Sequence, residues 1–150
     1  MLSLVGWILV AYAAAVLGGL AGPDAWYATI NKPSWNPPNR VFGPVWTILF
    51  TMMGVAAWLV WSRRAETGVT LALGLFVGQL LLNALWSWLF FHWHRPDWAF
   101  AELLLLWLAI LATLLAFWRV RPLAGALLVP YLLWVSFAGY LNLTLWRLNR

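Results

Sequence analysis

The stretch that decides the fold is TGVTLALGLFVGQLLLNALWSWLFF, residues 67–91. It contains no charged side chain from end to end. Wound as a helix at about 1.5 Å per residue, it is long enough to cross about 30 Å of hydrocarbon. Further apolar runs of comparable length stand on either side of it, at 4–22, 41–61, 98–118 and 123–146. The 150-residue chain is 65% hydrophobic and only 9% charged, which takes it out of the range of soluble domains. Lipid offers a backbone amide no partner, so each span must satisfy its own hydrogen bonds as a helix, and no alternation at strand length suggests a barrel. The expectation is an all-α, multi-pass integral membrane protein: a single domain over residues 1–150, built as a bundle of five transmembrane helices.

The connections at 62–66, 92–97 and 119–122 are short, which predicts that sequential spans lie antiparallel as neighbours. Only the first connection, residues 23–40, is long. There Pro33, Pro37 and Pro38 fix backbone torsions, while Trp26, Tyr27 and Trp35 offer apolar surface. That combination reads as a stiffened lid over the mouth of the bundle, the alternative being a loop resting among the headgroups. No basic residue precedes Lys32, so the first span lacks the charged leader of a cleaved signal peptide and is expected to be retained. Cysteine is absent, which removes disulfides and thiolate metal sites from consideration. The net charge of +5 comes from residues at span ends, such as Arg63, Arg64, Arg95, Arg119 and Arg147, where phospholipid headgroups explain it and nucleic acid is not needed. Basic residues are nearly balanced between the two sides, so charge assigns no orientation.

Fourteen tryptophans stand in the chain. Most lie near span ends, as an interfacial belt would place them. Trp58, Trp88 and Trp107 lie deeper and read as packing; Trp46, Trp86 and Trp134 differ because polar side chains accompany them. Gln79, Asn83, Trp86, Ser87 and Phe90 recur on one face of the third span, and Trp134, Ala138 and Asn142 share a face of the fifth, with Pro130 one turn earlier predicting a kink. Two readings of Asn83 and Asn142 stay open: interhelical hydrogen bonds that hold the bundle, or polar contacts to a ligand. Depth favours a site, since Trp46, Asn83 and Trp134 lie roughly 6, 13 and 18 Å in from the end nearest the long loop. An aromatic cavity with a few convergent polar groups suits a large, flat, apolar ligand.

Gly74 and Gly78, four residues apart in the third span, have the small-residue spacing that lets two membrane helices approach closely. They lie about half a turn and about 140° from Asn83, which predicts a homodimer interface facing away from the pocket, the alternative being contact within the chain. Gly18 and Gly22 repeat the spacing in the first span. The titratable residues Asp24, Glu66, Asp97, Glu102, His92 and His94 form no visible triad or metal cluster. His92 and His94 are spaced to point apart on a helix, and Glu102, about one turn into the fourth span, is expected to reach towards the headgroups.

Four blocks, WYATINKPSWNPP (26–38), FGPVWTILF (42–50), QLLLNALWSWLFF (79–91) and PYLLWVSFAGYLN (130–142), resemble in order and spacing the signature segments of the translocator protein, or tryptophan-rich sensory protein, family. The resemblance covers essentially the whole chain and implies a five-helix membrane receptor for porphyrins and haem, with sterols and synthetic isoquinoline or benzodiazepine ligands in animal members. It implies pocket roles for Trp46, Asn83 and Trp134, a small pocket-wall role for Ala138, and an association of Trp26 and Trp134 with porphyrin chemistry. Together with the residue pattern, it sets the expected ligand-binding group at Trp26, Tyr27, Trp35, Trp46, Asn83, Trp86, Phe90, Trp134, Ala138 and Asn142. No cofactor is required on this reading; porphyrin or haem is the ligand. The cholesterol-recognition pattern of animal members is broken here, because six residues separate Tyr140 from Arg147 and Leu143 and Thr144 replace an aromatic pair. That argues against tight sterol binding and for a bacterial, porphyrin-type member. Sensing or transport of tetrapyrroles is the leading function. The alternatives are light- and oxygen-dependent porphyrin breakdown, with Trp26 and Trp134 as redox partners, and a purely structural membrane role.

Overall fold

The computed structural model describes residues 2–23 and 25–150, so Asp24 lies outside the described residues. Helix α1 (Leu2–Gly19) leads through the short α2 (Ala25–Thr29) to α3 (Asn39–Trp61). Helix α4 (Val69–Ser87) runs on through a π-helical turn, Trp88–His92, and α5 (Pro96–Val120), α6 (Pro122–Leu127) and α7 (Val129–Asn149) complete the chain. No strand occurs among the described residues. Five helical stretches, 2–19, 39–61, 69–92, 96–120 and 122–149, are long and apolar enough to cross a membrane. The protein is thus an integral, multi-pass membrane protein of all-α class.

The boundaries follow from local chemistry. Pro38 holds extended torsions before α3, and Gly68 precedes α4 at φ +89°, a left-handed conformation that a side chain would strain. Pro96 and Pro122 open α5 and α6, where the missing N–H costs nothing. The kink predicted at Pro130 is a full break: the helix stops at Leu127 and restarts at Val129, so Pro130 sits in the first turn of α7. Its ring therefore falls where proline is tolerated rather than inside a continuous helix.

Helix α1 packs along α3 and α4, α4 along α5, α5 along α6 and α7, and α6 closes the ring against α3. Sequential spans are close neighbours except α3 and α4, which meet only slightly because α1 lies against both. Small residues permit the closest approaches: a Cβ on Gly54 would stand 2.7 Å from the Ile8 Cα, and one on Gly125 2.8 Å from the Trp118 Cα. A Cβ on Gly74 or Gly78 would meet nothing within 4 Å, and both glycines lie on the outer, exposed face of α4. The half of the bundle remote from the long loop is filled, with Phe76 stacked on Phe117 at 5.7 Å beside buried Met53, Val60 and Ile110. The half beneath the loop is not.

Candidate functional site

Beneath the loop the helices enclose a cavity of about 290 Å³. Of the ten expected ligand-binding residues, Tyr27, Trp46, Asn83, Trp86, Phe90, Trp134, Ala138 and Asn142 line it. Trp26 and Trp35 do not. Trp26 backs the wall instead, its ring 5.7 Å from Phe90 and stacked on His94 at 4.4 Å, and His94 takes a left-handed φ of +53° in making that turn. Trp35 stands outside the cavity, stacked on Tyr140 at 5.4 Å and edge-on to Phe137 at 5.9 Å.

The long loop is fastened over the bundle end. The Asn149 side chain accepts the Asn31 N–H and donates to the Asn31 carbonyl, each at 2.8 Å, so one amide holds both sides of one peptide backbone position. Tyr27 packs edge-on against Phe90 and Phe91, with the Lys32 ammonium 4.7 Å above its ring. Phe90 and Phe91, adjacent in sequence, both reach the cavity. The π-helical turn makes that possible: the Trp93 N–H bonds the Trp88 carbonyl five residues back, widening the turn that carries both rings.

The polar groups divide by their hydrogen bonds. Trp86 donates through Nε1 to Asn142 Oδ1 at 2.9 Å, and Asn142 Nδ2 donates to the Pro96 carbonyl at 2.8 Å, which ties α4, α7 and α5 together. Asn142 is buried, and on both sides its amide is engaged in holding helices. Asn83 Nδ2 donates to the Tyr131 hydroxyl at 2.7 Å, which donates in turn to Gln79 Oε1 at 2.7 Å. Of the two readings left open for these asparagines, the interhelical bond is present for both, and both also border the cavity. Trp134 is different. Its Nε1–H is buried with no hydrogen-bond partner, although its ring meets Phe42 at 6.0 Å, Trp46 at 6.2 Å and Phe137 at 5.4 Å.

Glu102 does not reach towards the headgroups as expected; both its carboxyl oxygens are buried and unpartnered, beside the cavity-lining Leu103. Trp107 faces away from the cavity and donates to Ser136 Oγ at 2.8 Å, and Trp88 donates to the Leu17 carbonyl at 3.0 Å, which suits the packing role read for them. Among the described residues no three His, Cys, Asp or Glu side chains gather as a metal site.

A five-span bundle with this aromatic cavity under a fastened loop agrees with the sequence blocks, and residues 7–147 match the TspO/MBR family. The chain belongs to the TspO/MBR family. It is 50% identical over 129 residues to the Tryptophan-rich protein TspO of Chlorobaculum tepidum, covering 85% of this chain and 82% of that one. To the Translocator protein of Homo sapiens it is 44% identical over 126 residues, 83% of this chain and 75% of the other. To the Tryptophan-rich sensory protein of Cereibacter sphaeroides it is 42% identical over 137 residues, 91% and 85% of the two chains.

In this TspO/MBR chain the wall that sequence reasoning missed is α1. Ala14, Ala15 and Gly18 of α1 line the cavity, with Gly22 just beyond the helix end and Phe42 and Phe50 of α3. The signal was present: Ala11, Ala15 and Gly18 recur at i, i+4 and i+7, a stripe without bulk on one face of α1. It carries no polar group, so a search for polar and aromatic convergence passes over it.

Proposed function

We propose that this protein is a membrane receptor that binds tetrapyrroles such as protoporphyrin or haem in the cavity under the long loop and acts in their sensing or transport. Membership of the TspO/MBR family supports a membrane receptor or sensor role. The observation that carries the ligand class is the wall itself. Indole and phenyl rings from α3, α4, the π-helical turn and α7 line the cavity, and the Trp134 N–H, buried without an acceptor, comes within reach of one carried by a ligand once its ring swings. An unmade hydrogen bond of that kind is worth about 1–3 kcal/mol when filled. At about 290 Å³ the cavity stands at the lower limit of the roughly 300–1,000 Å³ usual for drug-sized ligands. A bicyclic aromatic ligand fits it as it stands; a tetrapyrrole is larger and requires part of the wall to yield. No cofactor is needed for this role, and the broken pattern around Tyr140 and Arg147 sets tight sterol binding aside.

The receptor acts as a homodimer on this reading, joined through the open face of α4 at Gly74 and Gly78. Titration of the protein in detergent with protoporphyrin IX tests the proposal, with tryptophan emission as the signal. Quenching that saturates at one molecule per chain supports it. Quenching that rises without saturation, as for partition into the micelle, rejects it.

A further inference from the structure

A ligand must reach the cavity, and the fold offers two ways in: past the loop from water, or between helices from lipid. The loop is held by directed bonds. Asn149 grips the Asn31 backbone through two 2.8 Å hydrogen bonds, Trp26 and Tyr27 pack edge-on against Phe90 and Phe91 of the π-helical turn, and Trp26 stacks on His94. Opening it breaks all of these together.

The seam between α3 and α7 is built otherwise. In the half remote from the loop α6 packs against α3, but beyond the break at Leu128 α7 runs along α5 and makes no comparable backbone contact with α3. Helices that pack directly approach to about 8–10 Å between axes, so a pair without such contact leaves a gap for side chains to fill. Rings fill it: Phe42 and Trp46 of α3 meet Trp134 of α7 edge-on at 6.0 and 6.2 Å. Among the described residues no hydrogen bond joins α3 to α7, and the Trp134 N–H is itself unpartnered. Outside the rings Trp35, 42% exposed, lies over Phe137 and Tyr140 as an outer flap. On α7, Leu133 and Tyr140 share the Phe137 side of the helix and are exposed apolar surface within a membrane-spanning stretch, where lipid is the solvent.

We propose that the seam between α3 and α7 is a lateral portal through which flat, apolar molecules dissolved in the bilayer enter and leave the cavity, gated by the swing of aromatic side chains. Nothing but ring edges and hydrocarbon contact resists that swing, whereas the loop route breaks hydrogen bonds that hydrocarbon does not replace. Ring displacement also enlarges a cavity that is small for a tetrapyrrole. In that last respect the inference rests on the proposed ligand class; the route itself does not.

The test follows exchange kinetics by stopped-flow tryptophan quenching, with the protein in phosphatidylcholine vesicles and two probes, protoporphyrin IX and pyrene. Trp35→Ala and Phe137→Ala thin the seam, and neither residue lines the cavity. Each should raise the association and dissociation rates together, by about tenfold for Trp35→Ala with its two ring contacts, and leave Kd unchanged. Asn149→Ala, which removes the two hydrogen bonds that pin the loop at Asn31, should change neither rate. The opposite pattern, faster exchange on unpinning the loop at Asn31 and unchanged exchange on thinning the seam, overturns the portal. So does a change confined to dissociation, because it would mean that these rings touch the bound molecule. If pyrene exchanges as expected and protoporphyrin IX does not bind, the tetrapyrrole reading falls and the portal stands. If neither probe binds, the portal falls as well.

Discussion

Replacing Gly54 by Ala tests how the cavity is walled. A Cβ there would stand 2.7 Å from the Ile8 Cα, 2.8 Å from its Cγ1 and 3.1 Å from its N. Two of these three are backbone atoms, so no rotamer change relieves the clash, and α1 must move away from α3 by about 1 Å to restore carbon contacts of about 3.5–4.0 Å. Overpacking of this kind costs about 1–3 kcal/mol, offset by the roughly 0.5–1 kcal/mol that Ala gains over Gly inside a helix. The net expectation is a loss of about 1–2 kcal/mol. Gly6→Ala is the matched control, because a Cβ at Gly6 meets nothing within 4 Å and only the propensity gain remains. Unfolding by sodium dodecyl sulfate from mild-detergent micelles, followed by circular dichroism, should rank Gly6→Ala above the parent and Gly54→Ala below it. Ligand affinity should fall with Gly54→Ala too, since α1 carries Ala14, Ala15 and Gly18 into the cavity wall. If Gly54→Ala proves as stable as Gly6→Ala, α1 does not lie this close to α3 and the small-residue account of the bundle is wrong.

Asn142→Leu should destabilise the protein by about 2 kcal/mol in the same assay, because it leaves the Trp86 N–H and the Pro96 carbonyl without the partner they share. Trp134→Ala should weaken protoporphyrin IX binding at least several-fold in a quenching titration while Trp107→Ala, on the outer face of α5, leaves it unchanged; equal losses at both would place the site elsewhere. Gly74→Leu with Gly78→Leu should yield monomers by sedimentation in detergent that still bind ligand, since neither position touches the cavity; a double variant that stays dimeric locates the interface on another face.

The five spans were legible because the signal is length without charge, which residues 67–91 state most plainly, and no packing detail alters it. The pocket face of α4 was legible too: Asn83, Trp86 and Ser87 recur at helical spacing and all line the cavity. Three features were not. The π-helical turn at Trp88–His92 has no fixed sequence mark, yet it is what brings both Phe90 and Phe91 inward. The place of Trp35 depends on where a nine-residue stretch after α2 turns, and that stretch is pinned by Asn149 at the far end of the chain, a pairing no local pattern announces. Burial of the Glu102 carboxyl depends on which flank of α5 meets its neighbours, and apolar residues on nearly every side of that helix conceal which flank it is.

The pattern of hydrogen bonds explains how one bundle can be both rigid and open. Inside hydrocarbon an unpaired amide is expensive, so the asparagines near the cavity spend their donors on other helices and Gln79 accepts from one: Asn142 joins α4, α7 and α5, and the Asn83–Tyr131–Gln79 chain joins α4 to α7 again. These bonds fix the walls on the α4, α5 and α7 sides. Helix α3 takes no part in the Asn142 and Tyr131 bonds, and is held instead by close contact with α1, by α6 beyond the break in the last span, and by the Gln79 amide of α4, which donates to Met53 Sδ at 3.8 Å. The side of the cavity between α3 and α7 is therefore closed by rings alone. Tryptophan suits that position because it supplies a large apolar face, and its one polar atom can wait for an acceptor carried in by the ligand. Substituting Phe for Trp134 keeps the ring closure and removes that donor. It should preserve stability and cost affinity only for ligands that offer an acceptor, so protoporphyrin IX, with its carboxyl groups, should lose affinity while pyrene does not.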